Sequence, residues 1–130
     1  MLDHSAVEAN IPAADINRAR QFYAEKLGMM PVAEFGGEAL RYRTSGGTFF
    51  NIYQTQYAGQ AGHTIAQWHV DDVDQEVRDL IGKGVVFEVY DMPGVEWNGH
   101  VATLPGMGKA AWFKDSEGNI MCVDEGAPTS

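Results

Sequence analysis

An alternating segment near the start of the chain predicts a strand with one buried face. Residues 5–12 alternate between apolar and polar positions. Val7 and Ile11 share the face that we expect to pack beneath the following helix. Glu8 and Asn10 share the opposite face, so both carry their side chains away from that helix.

The next segment, residues 15–28, predicts an amphipathic helix. Its apolar positions recur at spacings of three and four residues. Asp15 stands where a helix N-cap belongs, and Gly28 stands where a helix commonly ends. Three short strands, which glycine turns separate, are predicted to follow: Met30–Phe35, Ala39–Thr44 and Thr48–Gln54.

The same order of elements then starts again after a small, polar linker at residues 55–62. His63–Val70 alternates and predicts a strand, and residues 72–84 predict a second amphipathic helix. Three further strands are predicted: Val85–Tyr90, Lys109–Lys114 and Ile120–Asp124.

Two glycine-rich segments interrupt or end this second half. We interpret residues 91–108 as a lid-like insertion, because a glycine-hinged loop that carries Trp97 and His100 could cover a ligand. The tail 126–130 is expected to be frayed.

The two halves form an internal repeat with an offset of 57 residues, which places Asp15 on Asp72. The chain is therefore predicted to be one domain of two modules, residues 5–56 and 63–126. Each has the order strand, helix, strand, strand, strand.

The composition narrows the class of partner. The formal net charge is −9, with six acids and five bases in residues 1–62 and twelve acids and four bases in residues 63–130. This argues against a nucleic-acid partner and against an anionic membrane surface. Most of the acidic excess is interpreted as exposed helix face, chain end and hairpin turn, the last including Asp115 and Glu117. No signal peptide or membrane span is evident, so a cytoplasmic location is expected.

Two stretches resemble the vicinal oxygen chelate superfamily, which includes glyoxalase I, bleomycin-resistance proteins and extradiol dioxygenases. They are IPAADINRARQFYAEKLGM at residues 11–29 and AAWFKDSEGNIMCVDEG at residues 110–126. The family's usual turn has Pro and Asp where this chain has Ser116 and Glu117. The resemblance implies an α+β fold of two βαβββ modules, with curved, mostly antiparallel sheets around a central cleft and helices outside. It also implies a homodimer and a small organic ligand.

The resemblance also implies positions for a divalent metal, on the first and last strands of each module. They fall on Glu8, Asn51, Ile65 and Cys122. Ile65 cannot bind a metal, and one carboxylate, one amide and one thiol suit no common catalytic ion. No metal or other cofactor is therefore expected. The alternative is a divalent metal held by Glu8 with recruited histidines, for which the candidates are His4, His63 and His69.

The candidate site residues follow from strand parity and from the insertion. Glu8 is the first candidate for a catalytic base, and the competing interpretation pairs its carboxylate with a donor such as Gln67 or Arg41. His69 is a candidate acid or base. The candidate ligand-binding residues are Asn10, Phe49, Asn51, Tyr53, Gln67, Trp97, His100 and Cys122.

Three functions are compatible with these residues. The first is a metal-independent small-molecule-binding protein similar to bleomycin-resistance proteins. The second is a metal-dependent lyase, isomerase or dioxygenase of glyoxalase type. The third is a metal-free enzyme that uses Glu8 as base and His69 or His100 as acid. The sequence leaves open which of these the protein performs.

Overall fold

The computed structural model describes residues 1–106 and 108–126, and these form two helices and ten strands. Helix α1 spans Ile16–Glu25, and helix α2 spans Val73–Gly82. The strands β1 to β10 span Ala9–Ala13, Ala33–Phe35, Ala39–Arg43, Phe49–Gln54, Thr64–His69, Phe87–Glu88, Glu96–Asn98, Val101–Leu104, Gly108–Lys114 and Ile120–Asp124. The end of the chain at residues 127–130, which we expected to be frayed, lies outside the described residues.

Each module contributes one mixed sheet, which confirms the predicted α+β class. Sheet one has the order β1-β4-β3-β2, and sheet two has the order β5-β10-β9-β8-β7. In each sheet the first strand of the module pairs in parallel with its last strand, and the other pairings are antiparallel. No helix in the described residues is long and apolar enough to cross a membrane.

The helix caps confirm the offset of 57 residues. Asp15 caps α1 by accepting hydrogen bonds from the backbone N–H groups of Asn17 and Arg18, both at 3.1 Å. Asp72 caps α2 by accepting one from Gln75 N–H, also at 3.1 Å. Each cap satisfies backbone donors that the first turn of a helix leaves without a partner.

The registers of the sheets repeat as well. Asn10 lies opposite Asn51 in sheet one, and Gln67 lies opposite Cys122 in sheet two. A side chain at the end of each last strand also bonds the first turn of its own helix. Gln54 Oε1 accepts from Ile16 N–H at 3.2 Å, and Glu125 Oε2 accepts from Val73 N–H at 3.2 Å. The two modules therefore share their strand register and this contact between last strand and helix, in addition to their residue pattern.

Strand β1 begins later than predicted. Ile11 is buried as expected, but Val7 is 93% exposed, so the expectation that it packs beneath α1 is wrong. The reason is that β4 begins at Phe49 and the ladder begins at Ala9, opposite Phe50. Ahead of Ala9 the chain has no neighbouring strand on which an apolar side chain could be buried.

The insertion is not the open loop that we predicted. Glu96–Asn98 and Val101–Leu104 pair as a hairpin, and Val101–Leu104 joins the edge of β9, where Ala102 lies opposite Ala110. The loop interpretation is therefore wrong for these residues, because their backbone groups find partners in the sheet. Whether the rest of 91–108 covers a ligand stays a prediction.

The turn between β9 and β10 joins the two modules. Glu117 Oε1 accepts from the backbone N–H of Asp15 at 2.9 Å, and its Oε2 accepts from Arg18 Nε at 2.8 Å. Asp115 Oδ2 accepts from the buried hydroxyl of Tyr23 at 2.8 Å. Both carboxylates are only 6% exposed, so the interpretation of this turn as an exposed acidic surface is wrong. This turn of module two is instead buried against α1 of module one and hydrogen-bonds to it.

Candidate functional site

Glu8 is held by two neighbours on sheet one. Arg41 Nη2 donates to Glu8 Oε2 at 2.7 Å, and Asn51 Nδ2 donates to Glu8 Oε1 at 3.1 Å. Glu8 and Arg41 are about equally exposed, with 28% and 32% of their side-chain surface accessible. The competing interpretation of Glu8, a carboxylate paired with Arg41, describes this geometry. Both oxygens of the carboxylate are therefore already engaged by donors of the protein itself.

The face of sheet one that carries Glu8 is polar and partly aromatic. Arg41 also lies over the ring of Phe49, with its guanidinium carbon 4.3 Å from the ring centre. Asn10 and Tyr53 are exposed on the same face. Arg41 therefore links Glu8 to Phe49, and Glu8 in turn binds Asn51.

The corresponding face of sheet two contains a cavity of about 220 Å³. Gln67, Trp112 and Cys122 share this face, because Cys122 lies opposite both of the others in the ladder. A second cavity of about 260 Å³ lies between β1, β4 and β5 and is lined by Phe49, Ile65 and Gln67, among others. Gln67 lines both cavities, so they adjoin at this residue.

His69 forms a close pair with Asp124 at the edge of the 220 Å³ cavity. Its Nδ1 lies 2.6 Å from Asp124 Oδ1, and the same oxygen accepts from the backbone N–H of Gly126 at 2.7 Å. The side chain of Asp124 is 15% exposed and that of His69 is 65% exposed. With Nδ1 engaged, Nε2 is the ring atom left to meet a ligand, which is the arrangement that orients a histidine for proton transfer.

Cys122 lies in the wall of this cavity as a protonated thiol. It is 4% exposed, and burial, followed by the charge of Asp124, raises the pKa of its thiol to about 12. A thiol with this pKa is a poor metal ligand and a poor nucleophile near neutral pH, since both roles need the thiolate. Cys122 therefore shapes the cavity as a small apolar side chain.

The two candidates from the insertion lie in different environments. The ring of Trp97 packs against Trp112, with centres 5.9 Å apart, so it borders the sheet-two face. His100 is exposed in the hairpin turn, and its ring centre is 6.4 Å from that of Phe87, a buried core residue. The structure thus brings Trp97 to the candidate site and does not bring His100 there.

The residues at the family's metal positions do not fit a divalent ion. Glu8 is bonded to Arg41 and Asn51, and Cys122 is a buried thiol. Ile65 falls where the ladder of β5 and β10 slips, between the pairs that Thr64 and Ala66 form. Within residues 1–106 and 108–126, no three His, Cys, Asp or Glu side chains group as metal ligands.

Within the described part of the chain, none of the histidines proposed as replacement ligands forms a hydrogen bond or ion pair with Glu8. His4 is exposed beside Asp3, with its Nε2 3.4 Å from Asp3 Oδ2. His63 is exposed ahead of β5. His69 is engaged by Asp124.

Sequence reasoning missed two members of the site. Asp124 was named only as the end of the predicted strand Ile120–Asp124, although it lies two residues after Cys122 and so shares its face of the strand. Trp112 was counted only as part of a predicted strand, yet it lines the cavity and its Nε1 donates to Thr64 Oγ1 at 3.2 Å. Strand parity, applied to the last strand and its neighbour, could have found both.

Comparison with solved structures finds the same fold in proteins of low sequence identity. A bleomycin resistance determinant encoded on the transposon Tn5 has a TM-score of 0.70 at 15% identity, with 94% of this chain and 98% of that chain covered. Lactoylglutathione lyase from Agrobacterium tumefaciens has a TM-score of 0.69 at 18% identity, with 92% of each chain covered.

A fosfomycin resistance protein from Listeria monocytogenes, in complex with Mn(II) and a dihydroxypropylphosphonic acid, has a TM-score of 0.67 at 16% identity. The match covers 95% of this chain and 91% of that chain. No curated protein sequence matches the chain. The family model for the Glyoxalase/Bleomycin resistance protein/Dioxygenase superfamily matches residues 2–123. The chain, with its two repeated modules, therefore belongs to the Glyoxalase/Bleomycin resistance protein/Dioxygenase superfamily.

Proposed function

We propose that this protein binds a small organic molecule without a metal ion, as a cytoplasmic homodimer. The observation that carries the proposal is the state of Glu8, whose two carboxylate oxygens are bonded to Arg41 and Asn51. A metal at this position has to displace the Arg41 guanidinium and then bind without a ligand from Ile65. The residues therefore favour a binding face over a metal centre.

The ligand chemistry follows from the two adjoining cavities. Together they offer the aromatic surfaces of Phe49 and Trp112 and the amide of Gln67, which can both donate and accept hydrogen bonds. Small-molecule sites are commonly apolar and aromatic with a few placed polar groups. A planar organic molecule that stacks on Trp112 and bonds Gln67 fits this description.

A fragment screen tests this binding site. Ligand-observed NMR with neutral aromatic fragments of about 10–15 non-hydrogen atoms should find binders that the Gln67→Trp variant loses, because the larger side chain fills the junction of the cavities. Gln75→Trp is the matched control, since Gln75 is exposed on α2. If the fragments bind both variants equally, the ligand does not occupy this site.

Metal titration tests the other half of the proposal. The purified protein should hold no stoichiometric Mn, Fe, Ni or Zn by elemental analysis, and added Mn(II) should show no saturable high-affinity binding by calorimetry. Stoichiometric Mn(II) binding that the Glu8→Gln variant loses would instead establish a metal-dependent member, the class to which the fosfomycin resistance protein with bound Mn(II) points.

A metal-free acid–base enzyme is the second candidate, and the pairing of His69 with Asp124 favours it. Our sequence-based version used Glu8 as the base, but the contact with Arg41 makes His69 the better candidate. For any substrate that is found, His69→Gln should lower kcat by about 10²–10⁴-fold, the range for loss of a general acid or base. If Glu8→Gln instead loses activity to this extent and His69→Gln stays fully active, the base is Glu8.

A further inference from the structure

A third cavity lies on the opposite side of sheet two, between the modules. It has a volume of about 370 Å³, and it shares no lining residue with the cavity of His69 and Asp124. We call it the inter-module chamber. Its walls come from the segment after α1, the turn between β3 and β4, helix α2 and the helix-facing side of sheet two. This volume is within the range of about 300–1,000 Å³ that is typical of small-molecule sites.

The inner wall of the chamber is aromatic and aliphatic. The rings of Trp68 and Phe113 stack with centres 6.4 Å apart and planes 24° apart, and Leu80 and Val123 continue the apolar surface. Met29 closes one side with a flexible, polarizable thioether. The cavity opens to solvent beside the exposed Met30, so a ring-shaped guest can reach this apolar wall.

One carboxylate stands at this wall without an ionic partner. Glu76 lies on α2 one turn before Leu80, is half-buried, and forms no ion pair within the part of the chain that the structure describes. Arg43 also lines the chamber, but it is exposed and its guanidinium carbon lies 6.0 Å from the ring centre of Phe49.

We propose that the inter-module chamber binds a small organic ammonium compound, with its ring system against Trp68 and Leu80 and its ammonium group on the Glu76 carboxylate. The chamber shares no lining residue with the 220 Å³ cavity of His69 and Trp112, but it meets the 260 Å³ cavity at Thr44 and Trp68. The two proposals are therefore tested separately, by Gln67→Trp at the proposed binding site and by Glu76→Gln in the chamber.

Three probes with one ring system and different charge test the proposal. They are 2-(1-naphthyl)ethylamine, which is cationic, 2-(1-naphthyl)ethanol, which is neutral, and 1-naphthylacetate, which is anionic. Calorimetry should show that the amine binds about tenfold more tightly than the alcohol, as expected for a hydrogen bond to a charged group, and that the carboxylate binds least. Equal affinities of the three probes would overturn the assignment of Glu76 as the recognition group.

Two charge-neutralising variants on the same helix give the matched comparison. Glu76→Gln should weaken binding of the amine about tenfold and leave binding of the alcohol unchanged. Asp79→Asn removes the same charge from an exposed position of α2 and should change neither by more than about twofold, because exposed charges are screened. If both variants weaken the amine equally, attraction is general and the chamber is not an ammonium site.

A blocking variant and a map of the binding surface locate the probe. Met30→Trp places a larger ring at the exposed mouth of the chamber, which avoids disturbing the buried Leu80, and it should abolish binding of all three probes. Amide NMR shifts caused by the amine should centre on the chamber and should persist in Gln67→Trp. Shifts centred on His69 and Trp112, or a chamber closed by a second copy of the chain in solution, would refute the proposal.

Discussion

Two tyrosines in the core of module one give opposite predictions for the same chemical change. Tyr23 and Tyr42 are both 0% exposed, and their ring centres are 5.8 Å apart. The Tyr23 hydroxyl donates to Asp115 at 2.8 Å, whereas the Tyr42 hydroxyl has no hydrogen-bond partner among the described residues. Replacing either tyrosine with phenylalanine removes one oxygen and leaves the ring in place.

Tyr23→Phe should destabilise the protein. It removes a hydrogen bond to a buried carboxylate, which is worth about 1.5–3 kcal/mol. Tyr42→Phe removes a hydroxyl that is already desolvated without a partner, and it should change the free energy of unfolding by less than about 0.5 kcal/mol or increase it. Burial raises the pKa of Tyr42 to about 12, in keeping with a hydroxyl that stays neutral.

The pH dependence separates this explanation from a packing effect. Burial raises the pKa of Asp115 above its usual value. Hydrogen bonds from Asn119 and Tyr23 oppose this effect but do not cancel it. A carboxyl whose pKa is raised by folding stabilises the fold below its unfolded pKa, and this contribution is lost as the pH rises through the folded pKa. Without Tyr23 the pKa of Asp115 rises further, so the loss in Tyr23→Phe should be larger at pH 7 than at pH 4.

Urea unfolding at pH 7 and pH 4 measures these differences, with the m-value as a check that the unfolded states are comparable. Equal losses in both variants, or a larger loss in Tyr42→Phe, would refute the reasoning. A loss in Tyr23→Phe that does not depend on pH would show that the effect comes from ring packing and not from the bond to Asp115.

Three further predictions concern the same junction and the candidate site. Glu117→Gln should cost about 2 kcal/mol at pH 7 by urea unfolding, because a buried carboxylate loses part of its hydrogen bonding. Burial acts to raise the pKa of Glu117, but the hydrogen bonds from Arg18 and other donors lower it overall. The ionised carboxylate therefore stabilises the fold above its unfolded pKa, and this stabilisation is lost as the pH falls through the folded pKa. The cost of Glu117→Gln should accordingly shrink as the pH falls below about 4. Gly59→Ala should lower the free energy of unfolding by about 2 kcal/mol or more, because φ is +75° and a Cβ would lie 2.7 Å from the carbonyl oxygen of Glu117. Gly62→Ala is the control, since a Cβ there meets open space, and it should lower the free energy of unfolding by less than about 0.5 kcal/mol. Cys122 should resist iodoacetamide at pH 8 in the folded protein and react on unfolding in urea, because its thiol has a pKa raised to about 12, and rapid alkylation of the folded protein would contradict this.

The elements that local patterns specify were predicted well. Asp15 and Asp72 are N-caps because a short carboxylate before an amphipathic run satisfies nearby N–H groups. Gly84 ends α2 at φ +93°, where the N–H of Val85 reaches the carbonyl of Leu80 at 3.0 Å. These interactions join residues only a few positions apart in the chain, so they can be predicted from the sequence alone.

Strand ends and site partners were predicted less well. Val7 continues the alternation of β1 but is exposed, because the ladder depends on where β4 begins. The pairing of His69 with Asp124 depends on the register between β5 and β10, which are 55 residues apart at this contact. Register is a property of two strands together and is not encoded in either one.

By itself, the sequence determined the two modules, their repeat, the helix caps, and the presence of Ile65 where the family has a metal ligand. Only the tertiary structure decided that Glu8 is bonded to Arg41, and that the acidic turn at Asp115 and Glu117 is buried beneath α1. The physical reason is that a carboxylate has the same formal charge at the surface and in a junction. Its hydrogen-bond donors come from distant parts of the chain. They decide whether the carboxylate faces solvent, holds two modules together or binds a ligand.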